Sequence, residues 1–84
     1  METSIITQRL GEQLRAMRLS RGYKQAELAK LAGITRQKLI EIEQGSPSVS
    51  MNAYARVIAA LGSEFKLVPV TLPTLEELGD LFNE

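Results

Sequence analysis

The sequence predicts an all-α domain of four short helices, followed by one β-strand. Three observations carry this expectation. Apolar residues recur at steps of three and four along residues 6–61. Gly22, Gly33, Gly45 and Gly62 interrupt that pattern where helices should stop. After Gly62 the pattern becomes alternation over residues 63–70.

The first helix is expected over residues 6–21. Ile6, Leu10, Leu14 and Met17 form one apolar stripe, with Arg9, Arg15, Arg18 and Arg21 on the remaining surface. The second starts at Gln25 and runs to Leu31 or Ala32, with Leu28, Ala29 and Ala32 facing inward. Gly33 suits a sharp turn, because it enters left-handed backbone without steric penalty. Thr35 is a natural N-cap for a third helix reaching Gln44. Counting about 100° per residue from Leu39, Ile42 falls near 300° and Glu43 near 40°, on one inner face. Gln37, Glu41 and Gln44, at roughly 160°, 200° and 140°, point outward. Ser46-Pro47-Ser48 is a loop. A fourth helix is expected over residues 50–61, capped by Ser50 or Asn52, with Tyr54, Val57, Ile58 and Leu61 on its core face.

In the strand, Phe65 and Leu67 share one face, and Glu64, Lys66 and Val68 the other. Pro69 lacks an N–H, so the strand lies at an edge or ends there. A lone strand leaves its backbone unpaired, and the chain holds no second candidate. Pairing with the same strand of another copy across a two-fold axis is the economical solution, which makes Phe65, Lys66, Leu67 and Val68 the expected dimerisation residues. In residues 71–84, Thr74 and Glu77 match a capping box, and Leu75, Leu78, Leu81 and Phe82 line an edge among acids. This tail reads either as a weakly packed terminus or as a segment that orders on a partner. The expected organisation is a helical domain over 1–62, a dimerisation strand over 63–70 and an acidic tail over 71–84.

Composition narrows the function classes. The 84 residues make one domain. A chain this short buries only about 60–65% of its unfolded surface, and dimerisation is a common remedy. There is no cysteine and no histidine. Disulfides, thiolate metal sites and the usual general acid–base residue are therefore excluded. Neighbouring acids such as Glu41/Glu43 and Glu76/Glu77 point to different sides of a helix, so neither an enzyme nor a metal or other cofactor is expected. No apolar run approaches the roughly 18 residues of a membrane span, and the N-terminus has no secretory pattern. The expected location is the cytoplasm, at the nucleoid. Net charge is zero, but residues 8–61 hold nine Lys/Arg and four Asp/Glu, while residues 62–84 hold one and five. The basic half contains the two helices around Gly33. Two short helices joined by a tight turn, with Arg36, Gln37 and Lys38 opening the second, suit insertion into a DNA major groove.

Leu14-Arg15, Arg18, Gly22, Gln25, Glu27-Leu28-Ala29, Gly33, Leu39, Glu43, Gly45 and Ala60-Leu61-Gly62 together resemble the Cro/CI (XRE-like) helix-turn-helix repressor family. The resemblance spans about residues 8 to 62 and implies a lambda-repressor-like four-helix fold. Within that family the chain looks most like HipB-type antitoxins, which also carry a strand after the last helix. The resemblance implies that Gln25 contacts a phosphate and braces the first residue of the recognition helix. It also implies that Arg18 and Glu43 form an internal ion pair.

The expected DNA-binding residues are Lys24, Gln25, Thr35, Arg36, Gln37, Lys38, Ile40, Glu41 and Ser46. Arg36 and Gln37 stand where family members read bases, and Arg and Gln suit guanine and adenine respectively. Lys38, Lys24, Ser46 and Ser48 are expected on phosphates, whereas Arg15, Arg21, Lys30 and Arg56 read as a solvated face. Ile40 borders the outward face and fits either a thymine methyl or a flank of the core. Glu41 departs from the pattern. It suits either a cytosine amino group or solvent, and its outward neighbour Gln37 offers an amide rather than a cation. The function expected is that of a homodimeric repressor on an inverted-repeat operator. It is either the antitoxin of a HipA-like kinase toxin or a plain repressor without such a partner.

Overall fold

A computed structural model describes residues 2–69. Four α-helices follow one another: α1 Thr3–Ser20, α2 Gln25–Ala32, α3 Arg36–Glu43 and α4 Met51–Ala60. Helix α2 packs on both α3 and α4, and α1 packs on α3. The buried core gathers Leu14 from α1, Leu28, Ala29 and Ala32 from α2, Leu39 and Ile42 from α3, and Tyr54, Val57 and Ile58 from α4. Leu61 closes the core just beyond α4, and Val49 closes it from the α3–α4 loop. Burial of these apolar side chains is the main favourable contribution to the fold.

Local chemistry explains the boundaries. Thr35 Oγ1 accepts from the Lys38 N–H at 3.0 Å and starts α3. Ser50 Oγ accepts from the Ala53 N–H at 3.1 Å and starts α4, so Ser50 is the cap and Asn52 is not. Helix α2 ends where Gly33 turns to φ 71°. There the Ile34 N–H donates back to the Ala29 carbonyl at 3.0 Å, and the chain swings into α3. Helix α3 ends at Glu43 rather than Gln44, with Gln44 as its C-cap.

Two expectations about α1 are corrected. The helix begins at Thr3 rather than Ile6 and ends at Ser20, with Arg21 as its C-cap. Ile6 is 52% exposed, so the apolar stripe meets the core only from Leu10 onward. Ile5 is exposed as well, and a periodic pattern does not reveal how far a neighbour reaches.

Gly11 and Gly45 set the distance between α1 and the end of α3. A Cβ at Gly11 would lie 2.5 Å from the Ile42 carbonyl oxygen and 2.7 Å from the Gly45 nitrogen. A Cβ at Gly45 would run into the Thr7–Gln8 backbone. Only glycine at both positions allows the backbones this close.

Residues 63–69 form no helix or strand among the described residues. The expected strand and its dimer pairing are therefore not seen among the described residues. The segment is tied to the core at its start, where Ser63 Oγ donates to Met17 Sδ at 2.9 Å. The Arg21 guanidinium donates to the Leu61 carbonyl nearby. Phe65, Leu67 and Val68 are exposed. Val70 and the expected capping box at Thr74/Glu77 lie outside the described residues.

Candidate nucleic-acid interface

A chain of polar contacts runs from the core to the start of α3. Arg18 and Glu43 are both buried, with side chains 7% and 4% exposed. Arg18 Nε donates to Glu43 Oε2 at 2.6 Å, and Nη2 donates to Oε1 at 3.2 Å. The remaining guanidinium nitrogen donates to the Tyr23 carbonyl at 2.9 Å. A buried charge needs such complete pairing, because desolvation is otherwise prohibitive. No buried side-chain N or O among the described residues lacks a partner.

The contacts continue outward. Gln25 Nε2 donates to Glu43 Oε1 at 3.1 Å, and Gln25 Oε1 accepts from Arg36 Nη2 at 3.2 Å. The amide fits only one way round, since a flip would set its N–H groups against the guanidinium and its oxygen against the carboxylate. The buried ion pair thus orients Gln25, and Gln25 orients the exposed Arg36 at the first residue of α3. Gln25 Nε2 carries a second N–H that this network does not use.

The N-terminus of α2 differs from that of α3. The Lys24 N–H donates to Glu27 Oε1 at 2.8 Å. Lys24 occupies the N-cap position, but its ammonium has no acceptor to offer the following N–H groups. Those groups therefore point outward beside the exposed Lys24 side chain, an arrangement suited to an anion. In α3 the Thr35 hydroxyl accepts from the backbone and keeps its own proton for an external acceptor.

On α3, Leu39, Ile42 and Glu43 are buried, whereas Arg36 and Gln37 are exposed. Lys38, Ile40 and Glu41 are half-buried. One expectation is corrected here. Glu41 has a cationic neighbour after all, because Lys38 Nζ lies 3.7 Å from its Oε1. The two residues are three apart on the helix, close enough for a side-chain pair. The expected outward neighbour, Gln37, makes no hydrogen bond to Glu41 among the described residues.

The loop after α3 is held from below. Tyr54 donates its hydroxyl to the Ser46 carbonyl at 2.7 Å, and the Ser46 and Ser48 hydroxyls lie 2.9 Å apart. Burial pushes the Tyr54 phenol above its usual range. This fixes the loop beside the C-terminal end of α3. The roles of Gly11 and Tyr54 were not foreseen. A glycine inside a helical stripe was the available signal for the first, since it costs about 1 kcal/mol relative to alanine and usually has a packing reason. Among the described residues, no helix is long and apolar enough to cross a membrane.

This geometry is that of a helix-turn-helix protein: a capped, braced helix presented behind a tight glycine turn. Residues 9–64 match the model of a helix-turn-helix domain family, and the chain belongs to that family. It is therefore a DNA-binding regulator by class. No curated protein matches the chain.

Proposed function

We propose that the protein binds a specific operator as a homodimer and represses transcription. The observation that carries this reading is the contact chain Arg18–Glu43–Gln25–Arg36, which links the core to an exposed guanidinium at the start of α3. Arg36 and Gln37 read base edges. Lys24, Gln25, Thr35, Lys38 and Ser46 contact phosphates and set the register. Ile40 flanks the core. Two copies related by a two-fold axis place their α3 helices in major grooves about 34 Å apart, which calls for an inverted repeat. The exposed Phe65, Leu67 and Val68, with Lys66 between them, form the paired strand of the dimer. The protein acts by binding rather than catalysis, in the cytoplasm.

Operator selection from random duplexes, followed by fluorescence anisotropy, tests the reading. Arg36→Ala should lose about 1–3 kcal/mol of specific binding and relax one operator position. Binding should weaken steeply as salt rises, because phosphate contacts release counterions. Unchanged operator affinity for Arg36→Ala would remove α3 from the role of recognition helix.

A second reading extends the first. The exposed apolar residues after Gly62 and the acidic residues 71–84 support a further protein contact. In this reading the chain is a HipB-like antitoxin that autoregulates its operon and binds a HipA-like kinase toxin. Co-expression with the neighbouring reading frame, followed by a pull-down, tests it. If the neighbour is harmless alone and is not retained, the chain is a plain repressor.

A further inference from the structure

Glu41 is the one acid on the outward face of α3, between Gln37 and Gln44. Near phosphates an uncompensated carboxylate is repelled, because like charges at contact distance oppose each other even in bulk water. Here it is compensated locally, because Lys38 Nζ stands 3.7 Å away. Both side chains remain partly exposed, at 45% and 36%, so the pair adds little to folding. Its consequence falls on what α3 meets.

The base edges in the major groove decide what an ionised carboxylate can accept from. Guanine offers acceptors at N7 and O6, and thymine offers an acceptor at O4 beside its methyl. Adenine sets its N6 donor next to the N7 acceptor, which repels the second carboxylate oxygen. Only cytosine presents an amino donor with no acceptor on its own edge.

We propose that Glu41, held by Lys38, is a specificity-determining residue that selects cytosine at one position of each operator half-site. Glu41 accepts from the cytosine amino group and rejects the other three bases. Lys38 keeps the carboxylate tolerable close to the backbone phosphates, so it positions Glu41 as well as adding positive charge. The inference rests on α3 being the recognition helix.

Selection from random duplexes with wild-type, Glu41→Gln, Lys38→Gln and the double variant tests it, with circular dichroism confirming the fold of each. The wild type should prefer cytosine at one half-site position by about 5-fold or more, the lower end of the range for a bidentate base contact. Glu41→Gln should lose that preference alone and keep the remainder of the selected sequence. Lys38→Gln should weaken binding. Adding Glu41→Gln to it should cost less affinity than the same change costs in the wild type, since the uncompensated carboxylate is removed along with the contact and neighbours that act as a unit are non-additive. A Glu41→Gln variant that selects the wild-type sequence overturns the proposal while leaving the DNA-binding reading intact. Strictly additive effects overturn the positioning role of Lys38. Salt-sensitive binding without any selected sequence, unaffected by Arg36→Ala, overturns both the proposal and the reading beneath it.

Discussion

Replacing Glu43 with glutamine removes one charge from the buried end of the contact chain and changes little else in shape. Three hydrogen bonds converge on that carboxylate, at 2.6, 3.2 and 3.1 Å. Without the negative charge, the Arg18 guanidinium stays buried against an amide, with the Tyr23 carbonyl as its other acceptor. Breaking one side of a buried pair costs about 3–5 kcal/mol. A domain of this size has a total stability of about 4–12 kcal/mol, so the loss is a large share. It corresponds to a drop in Tm of at least about 12 °C. Urea unfolding followed by far-UV circular dichroism should show the midpoint falling by more than about 1 M at constant slope. The double variant Arg18→Met/Glu43→Leu should recover the stability, because apolar side chains of similar volume need no compensation. It should nevertheless bind operator more weakly, since Gln25 then has no Glu43 to orient it toward Arg36. A loss below about 1 kcal/mol for Glu43→Gln, the range of surface pairs, would refute the reasoning, because the pair would then not be desolvated.

Three further outcomes are expected. Gly11→Ala should destabilise by at least about 1 kcal/mol in thermal unfolding. The clash with the α3–α4 backbone exceeds the gain of about 1 kcal/mol in helix propensity, and a stabilised variant would show that the helices are not so close. Stability should fall as pH rises above about 10, the ordinary tyrosine value. The folded-state value of Tyr54 is raised by burial, so its contribution is complete below the unfolded value and lost as pH climbs through the folded one. Urea titrations should show a shallower alkaline decline for Tyr54→Phe than for the wild type, and equal slopes would argue against this origin. Deleting residues 63–84 should weaken self-association in sedimentation, whereas an intact dimer would rule out the paired strand.

Much of the helical framework was legible in the residues because local chemistry sets it. Thr35 and Ser50 are side chains that cap, and Gly33 tolerates the turn that α2 needs. Leu28, Leu39, Ile42 and Val57 lie on their helices' inner faces because a period of 3.6 places them there. The exposed end of α1 at Ile6 was not legible, since its periodicity is as good as that of the buried part. Nor was the Lys38–Glu41 pair, although its spacing was visible, because Lys38 lies to the side of the outward face that Glu41 shares with Gln37.

Four helix-forming segments, the Thr35 cap, the apolar faces and the basic character of the half that carries the turn can be read from the residues alone. These depend on contacts within three or four residues, which spacing records directly. The close approach of α1 to the end of α3, the direction of the Gln25 amide and the reach of Tyr54 to the Ser46 carbonyl emerge only when the helices pack. The Arg18–Glu43 pair, which the family resemblance implies, spans 25 positions, and the Gln25–Glu43 contact spans 18. Contacts at that range depend on how the helices cross. Helix crossing is set by side-chain packing and by the glycine contact between Gly11 and Gly45, which no periodicity encodes.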